Sequence, residues 1–324
     1  DTVRLTNIGA RVTIDGGDGG DGRKGKADGD HLIGTDFGDE WRLTGANTGR
    51  GAVGSSAQPV SFTRVEALTG GTSADEFLIS DAASLSGILD GAGASDLFDA
   101  GDYLTPVTVD LLLRNTFQSD RYGIVNIETV LGGQASDHLQ ALDEVRSTWT
   151  VTEQNGGHLT TGIVEIDFAS FENLIGGTGT DTFILSDRMA VDTSIAGLAP
   201  LAATPDGAGV FAVVDEESTR DAVDDFVTYD AWTAPVTVDL TARTATRIGG
   251  NGIYTISGVE WVTGGKVSDS LTGDADNNVI VGGLGNDTIN GNAGQDILWG
   301  GIEVVTPEKF DRANDENFIA PPLW

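Results

Sequence analysis

The 324-residue chain carries 50 acidic against 18 basic side chains, a net charge of −32, and no cysteine. That balance excludes nucleic acid, whose phosphates would be repelled, disfavours anionic lipid and favours divalent cations; the missing cysteines exclude a disulfide framework and a thiolate metal site. With 46 glycines and 39% hydrophobic residues the chain is too apolar for disorder and too glycine-rich for a helical protein, and it has no apolar run long enough to span a membrane.

Short runs of Val, Ile, Thr, Leu and Phe alternate with Gly/Asp clusters, and no window sustains a helical period, so the reading is all-β. The first runs are Val3–Leu5 and Val12–Ile14. Three nine-residue units follow, starting at Gly16, Gly25 and Gly34, with Asp21, Asp30 and Asp39 at their sixth positions. The first unit is a full GGxGxD, with Gly17 and Gly19 ahead of Asp21, but Arg23 and Lys24 stand where apolar strand residues belong. Asp21 is expected to stack on Asp39. This N-terminal region covers 1–42.

From there a longer pattern recurs: apolar-x-x-apolar-Glu-x-apolar-x-Gly-Gly-x-x-x-Asp-x-[Phe/Leu]. It appears as FTRVEALTGGTSADEF from Phe62, IVNIETVLGGQASDHL from Ile124, FASFENLIGGTGTDTF from Phe168 and ISGVEWVTGGKVSDSL from Ile256. The glutamates are Glu66, Glu128, Glu172 and Glu260. The aspartates that close the glycine turns are Asp75, Asp137, Asp181 and Asp269, with Gly177 and Gly179 ahead of Asp181. Two composite modules result, 43–148 and 149–263. Trp41 and Trp149 each open a W-x-[L/V]-T-x-x-N-x-G run, and PVTVDL strands recur at Pro106 and Pro235. Unequal spacing between the modules locates an exposed insertion near 190–222.

Residues 264–301 are four tandem nonapeptides, from Gly264, Gly273, Gly282 and Gly291. Six residues rich in Gly, Asn and Asp make a tight turn; the other three, such as Thr288-Ile289-Asn290, make a short strand with one side chain inward. Two units close one coil, so turns two units apart stack at about the strand spacing of ~4.8 Å. That sets Asp269 above Asp287 and Asn278 above Asp296. Two carboxylates at that distance repel by roughly 0.9 kcal/mol in water and about 3.5 kcal/mol at an effective dielectric of 20, and a hard cation between them removes the repulsion. Calcium suits such a site, taking six to eight oxygens at loose angles, backbone carbonyls included. The remaining residues, 302–324, leave the pattern and read as a C-terminal cap or linker. The fold expected is an all-β parallel β-solenoid, of right-handed β-helix or calcium β-roll type, with that cap.

The nonapeptides, with the DDFVTYDAW, PVTVDL and ISGVEWVTGG segments before them, resemble the repeats and flanks of RTX (repeats-in-toxin) proteins. Trp149 to Ser186 resembles units of large RTX surface proteins and adhesins of Gram-negative bacteria. The resemblance implies type I secretion to the cell surface and folding triggered by extracellular calcium, with several ions bound. It also implies calcium ligands at turn positions two, four and six. These are Gly283, Gly285 and Asp287; Asn292, Gly294 and Asp296; Gly265, Val267 and Asp269; and Asp274, Asp276 and Asn278. Outside 264–301 the corresponding candidates are Gly17, Gly19 and Asp21, then Asp30, Asp39, Asp75 and Asp137, and Gly177, Gly179 and Asp181. Val267 departs from glycine, which weakens its turn, and Asn278 gives its site less charge.

No H-E-x-x-H and no G-x-S-x-G occurs, and His31, His138 and His158 are far apart in sequence, so neither a zincin nor an α/β-hydrolase is expected. His138 reads as a solvated turn residue. The reading is of a non-enzymatic, calcium-binding segment whose further partners are glycans or other copies of itself. The alternatives are a β-helix polysaccharide lyase or epimerase and a calcium-dependent glycan-binding module. For these, Tyr103, Tyr229, Tyr254 and Trp232 are the residues to place, though such aromatics in a solenoid are more often core or stacking residues.

Overall fold

The computed structural model describes residues 1–6, 9–17, 29–55, 57–111, 121–142, 145–153, 155–162, 164–177, 179–186, 212–214, 225–246, 253–301 and 309–310. Among the described residues every regular element is a β-strand, and no helix is long and apolar enough to cross a membrane. The chain divides into two compact units, Asp1–Leu142 with Val164–Phe171, and Asp143–Ile163 with Glu172–Trp324.

In the first unit the chain passes back and forth between two sheets. His31–Ile33, Ala67–Thr69 and Leu89–Asp90 are parallel neighbours in one. Glu40–Gly45, Glu76–Ile79, Leu97–Asp99, Thr129–Leu131 and Glu165–Ala169 are parallel neighbours in the other. Side chains alternate across a strand, so most of these short strands send one residue to the interior. Register then stacks like on like: Trp41, Phe77, Phe98, Val130 and Phe168 form one inner file, Leu32, Leu68 and Leu89 another, and none is more than 1% exposed.

The second unit repeats the plan. Ser147–Glu153, Asp181–Leu185, Phe226–Thr228, Trp261–Thr263, Val279–Val281 and Ile297–Trp299 follow one another in parallel in one sheet. Thr237–Asp239, Ser270–Thr272, Thr288–Asn290 and Lys309–Phe310 do so in the other. Trp149 stacks on Phe183 at 5.7 Å. From Trp261 onward the strands alternate between sheets, and each pairs with the strand two nonapeptides on: Val262 with Ile280 and then Leu298, Leu271 with Ile289. The two-unit coil expected from the spacing is therefore present.

Not every strand is parallel, which corrects the uniformly parallel expectation. Glu40–Gly45, Thr48–Val53 and Gln58–Thr63 form an antiparallel meander; Ser147–Glu153 pairs antiparallel with Gly156–Thr161, and Thr237–Asp239, Thr244–Thr246 and Ile253–Ser257 form a third antiparallel run. The W-x-[L/V]-T-x-x-N-x-G motif is thus a hairpin. Its Asn takes the left-handed conformation at the tip (Asn47 φ 49°, Asn155 φ 61°), which Asn tolerates better than most residues. The Asn side chain then donates to the repeat glutamate, Asn47 to Glu66 and Asn155 to Glu172. The motif's closing glycine leaves room for the partner strand: a Cβ on Gly49 would strike the Phe62 ring, and one on Gly157 the Thr150 carbonyl. Of the insertion near 190–222, only Ala212–Val214 is described; it is a strand between Asn173–Ile175 and Ile253–Ser257. Of 302–324, only Lys309–Phe310 is.

Candidate metal centre

Each turn ends on a buried polar residue just before its strand or, at Asp181, on the strand's first residue. Asp30, Asp39, Asp75, Asp96, Asp137, Asp181, Asp225, Asp269, Asn278, Asp287 and Asp296 are all 7% exposed or less. They are stacked in files, as the spacing predicted for 264–301. What lies between successive members is a backbone amide. Asp39 N–H donates to Asp75 Oδ1 (2.7 Å), Asp75 N–H to Asp96 Oδ1 (2.7 Å), and Asp96 N–H to Glu128 Oε2 (2.8 Å). In the second unit Asp181 N–H donates to Asp225, and Asp225 N–H to Glu260. Val236 N–H donates to Asp269, Asp269 N–H to Asp287 (2.9 Å) and Asn278 N–H to Asp296 (2.9 Å). An N–H to an ionised oxygen favours the charged form, so the amides offset part of the repulsion between stacked carboxylates. The repeat glutamates Glu66, Glu128 and Glu260 belong to the same ladders, each accepting the N–H of an aspartate, Glu66 from Asp30. Sequence reasoning gave them no role. It also missed Asp96 and Asp225, whose signal is an Asp placed directly before a three-residue strand with an inward centre.

The turns fall into two kinds. In the first, position two keeps φ outside the left-handed region and its N–H folds inward onto the side chain at position six. Thr35 donates to Asp39 Oδ2, Gly71 to Asp75, Gly133 to Asp137, Gly265 to Asp269 and Asp274 to Asn278. In the second, positions two and four are both left-handed: Gly283 and Gly285 (φ 94° and 123°) before Asp287, Asn292 and Gly294 (φ 65° and 123°) before Asp296. The position-two amide then points away, and Asn292 N–H goes to the side chain of Asn290. With that donor withdrawn, Asp287 Oδ2 is shielded from water and has no hydrogen-bond partner. A buried carboxylate oxygen left this way costs on the order of 1–3 kcal/mol or more, which a cation would remove. The turn before Asp181 is mixed, with Gly177 left-handed (φ 105°) and Gly179 not.

Oxygen is the only donor type these turns offer, as a hard cation requires. Among the described residues no three His, Asp or Glu side chains converge, so a cation here would draw on backbone carbonyls beside one or two carboxylates. The stacked turns bring those carbonyls close: a Cβ on Gly283 would strike the Gly265 oxygen, and one on Gly294 the Asp276 oxygen. The residues present therefore fit calcium, and Asp287 with Gly283 and Gly285 fits best. Gly17 is left-handed (φ 86°) and donates to Asp15; Gly19 and Asp21 lie outside the described residues. Asp30 Oδ1 meets the amino group of Asp1 at 2.7 Å. Asp274 is half-buried and Asp276 exposed, Asp276 N–H donating to Asp274.

Burial pushes Asp96 up to about 7, and Asp75 and Asp269 up to about 6, from an ordinary 3.8; it raises Asp287 as well. A carboxyl whose native pKa lies above its unfolded value adds stability that is complete below the unfolded value and lost as pH rises through the native one. In chelator, the fold is therefore expected to be recovered as pH is lowered from 8 to 5 and lost again between about 6 and 7 on raising it. Circular dichroism at graded pH reads this directly, and a pH-independent signal would contradict it.

Tyr229 and Trp232 are core residues, 0% and 1% exposed, and the Trp232 indole donates to Leu185 O at 2.7 Å. The Tyr103 hydroxyl donates to Ala83 O. The side chain of Tyr254 lies outside the described residues. His138 opens the strand His138–Gln140 and is not a turn residue, because the turn already closes at Asp137.

Residues 254–289 and 272–302 match the family of RTX calcium-binding nonapeptide repeats (4 copies). No curated protein matches the chain.

Proposed function

We propose, from the premise that residues 254–302 are RTX calcium-binding repeats, that this chain is a non-enzymatic segment of a secreted bacterial surface protein or adhesin. In this reading it is a calcium-stabilised parallel β-solenoid with a C-terminal cap, and it folds when it meets extracellular calcium. The observation that carries the reading is the buried, unpartnered Asp287 oxygen at the centre of the best-formed repeat. The charge of −32 adds to it, since self-repulsion keeps the metal-free chain open and soluble. Calcium titration of the chelated chain, followed by calorimetry and circular dichroism together, is the test. Saturable binding of several ions coupled to β-structure is expected; binding with no change of structure would remove the folding part of the proposal.

A specific observation supports glycan binding as the adhesive activity. The outward faces of the two C-terminal sheets differ. One carries Thr237, Ser270 and Thr288 in one file and Asp239, Thr272 and Asn290 in the next, all polar. The other carries Phe226, Trp261, Val279 and Ile297, and beside them Val281 and Trp299. Ile297 and Trp299 are 56% and 45% exposed. A groove of about 270 Å³ beside Trp299 adds Thr263, Leu284, Asp230 and Lys266, so an aromatic face stands next to hydrogen-bonding groups of both signs. Trp299→Ala is expected to weaken binding to glycan-coated surfaces at least tenfold while leaving the calcium titration unchanged. Equal binding by the variant would take glycan recognition away from this face.

A further inference from the structure

The first unit contains a turn that no glycine pattern marks. Gly91-Ala92-Gly93-Ala94-Ser95-Asp96 keeps the first glycine and the sixth aspartate of a nonapeptide turn but has alanine at positions two and four. Its backbone nevertheless belongs to the kind seen at Asp287 and Asp296: Ala92 and Ala94 are both left-handed, with φ 73° and 81°, a conformation alanine avoids. The Ala92 amide is turned outward onto Asp90 Oδ1 (2.9 Å), as the Asn292 amide is onto Asn290.

The consequence is the same as at Asp287. Asp96 is 1% exposed; its Oδ1 accepts the Asp75 amide, and its Oδ2 is shielded from water with no hydrogen-bond partner. That oxygen points across Gly91 toward the Asn126 carbonyl of the adjacent turn, so that a Cβ on Gly91 would strike both. At Gly282 the corresponding pair is Asp287 Oδ2 and the Gly300 carbonyl. The neighbours of Asp96 differ from it. Asp75 Oδ2 accepts Gly71 N–H at 2.6 Å, and Asp39 Oδ2 accepts Thr35 N–H at 2.7 Å, so in both the oxygen is already engaged.

We infer that the Gly91–Asp96 turn is a binding site for a hard divalent cation in the first unit, held by the Asp96 carboxylate with backbone carbonyls of the adjacent turn, and that the amide-capped Asp39 and Asp75 are structural. The inference rests on the calcium reading above but concerns residues far outside the matched repeats.

Asp96→Asn tests it, because an amide keeps the acceptor for the Asp75 N–H and removes the charge. Equilibrium dialysis with calcium, on the full chain at neutral pH, should find one ion fewer per chain than wild type in Asp96→Asn and the wild-type number in Asp75→Asn. Asp287→Asn, run in parallel, reports on the C-terminal repeats. If Asp287→Asn loses an ion and Asp96→Asn loses none, this inference fails and the calcium reading stands. If wild type binds no calcium, both fail. An equal loss in Asp75→Asn would overturn the distinction between the two kinds of turn. Should Asp96→Asn not fold, hydrogen exchange of the wild-type peptide spanning 88–99 decides: calcium-dependent slowing over 92–96 is expected, and its absence overturns the site.

Discussion

Chelating calcium is expected to convert the chain from β-structure to coil at neutral pH, and millimolar calcium to restore it. Two terms point the same way. Without the ion, the buried carboxylates remain stacked, and burial holds several of them near or above pH 6; keeping them ionised at pH 7.5 destabilises the native state. With the ion, each site that binds only the native state adds RT ln(1 + [L]/Kd), about 2.7 kcal/mol at a hundredfold excess. Two or three such sites match the whole stability of an ordinary domain, roughly 5–15 kcal/mol. Far-ultraviolet circular dichroism during a calcium titration measures it. A β spectrum that persists in EDTA, with the metal shown to be gone, would mean that the amide ladders and the apolar files suffice alone.

Asp287→Ala is expected to be the most damaging single change in the C-terminal repeats. It removes the acceptor of the Asp269 amide, leaving a buried N–H without a partner at about 1–3 kcal/mol. It also removes the carboxylate of the best-formed site, worth a further ~2.7 kcal/mol in a hundredfold excess of calcium. Asp287→Asn separates the two: it keeps the acceptor, so its loss should appear in calcium and be small in chelator at low pH. The chain already carries an amide at this position in Asn278, which accepts Asp274 N–H of its own turn and donates its backbone N–H to Asp296. Asp102→Ala is the control. Its partner Arg42 is 3.2 Å away and Asp102 is 72% exposed, where an ion pair contributes roughly 0–1 kcal/mol. Urea denaturation in calcium ranks the three, and equal midpoints for wild type and Asp287→Ala would refute the role given to this turn.

Much of this was legible in the chain itself. The nine-residue step from Gly264 fixed the short strands, the inward Leu271, Ile289 and Leu298, and the stacking of Asp269 on Asp287, because a strand period of two and a two-unit coil leave one register that buries every apolar centre; between Val279 and Ile280 the structure chose Ile280. Glycine at position four separated the turns before Asp287 and Asp296 from those with Val267 and Asp276, since L-residues resist the left-handed region. Tertiary structure alone decided the remainder. Ala92 and Ala94 are left-handed because the turn is held between neighbours, with Ala92 tied to Asp90 and Gly93 N–H to Gly71 O; no local preference of alanine would suggest it. The Trp41 and Trp149 motifs are hairpins because Glu66 and Glu172, 19 and 17 residues beyond each tip, reach back to the asparagines. Which aspartates hold their charge against a backbone amide, and which are free for a cation, depends on the direction of one N–H per turn. That N–H turns either to the side chain four residues on, as Gly265 to Asp269, or to the one two residues back, as Ala92 to Asp90.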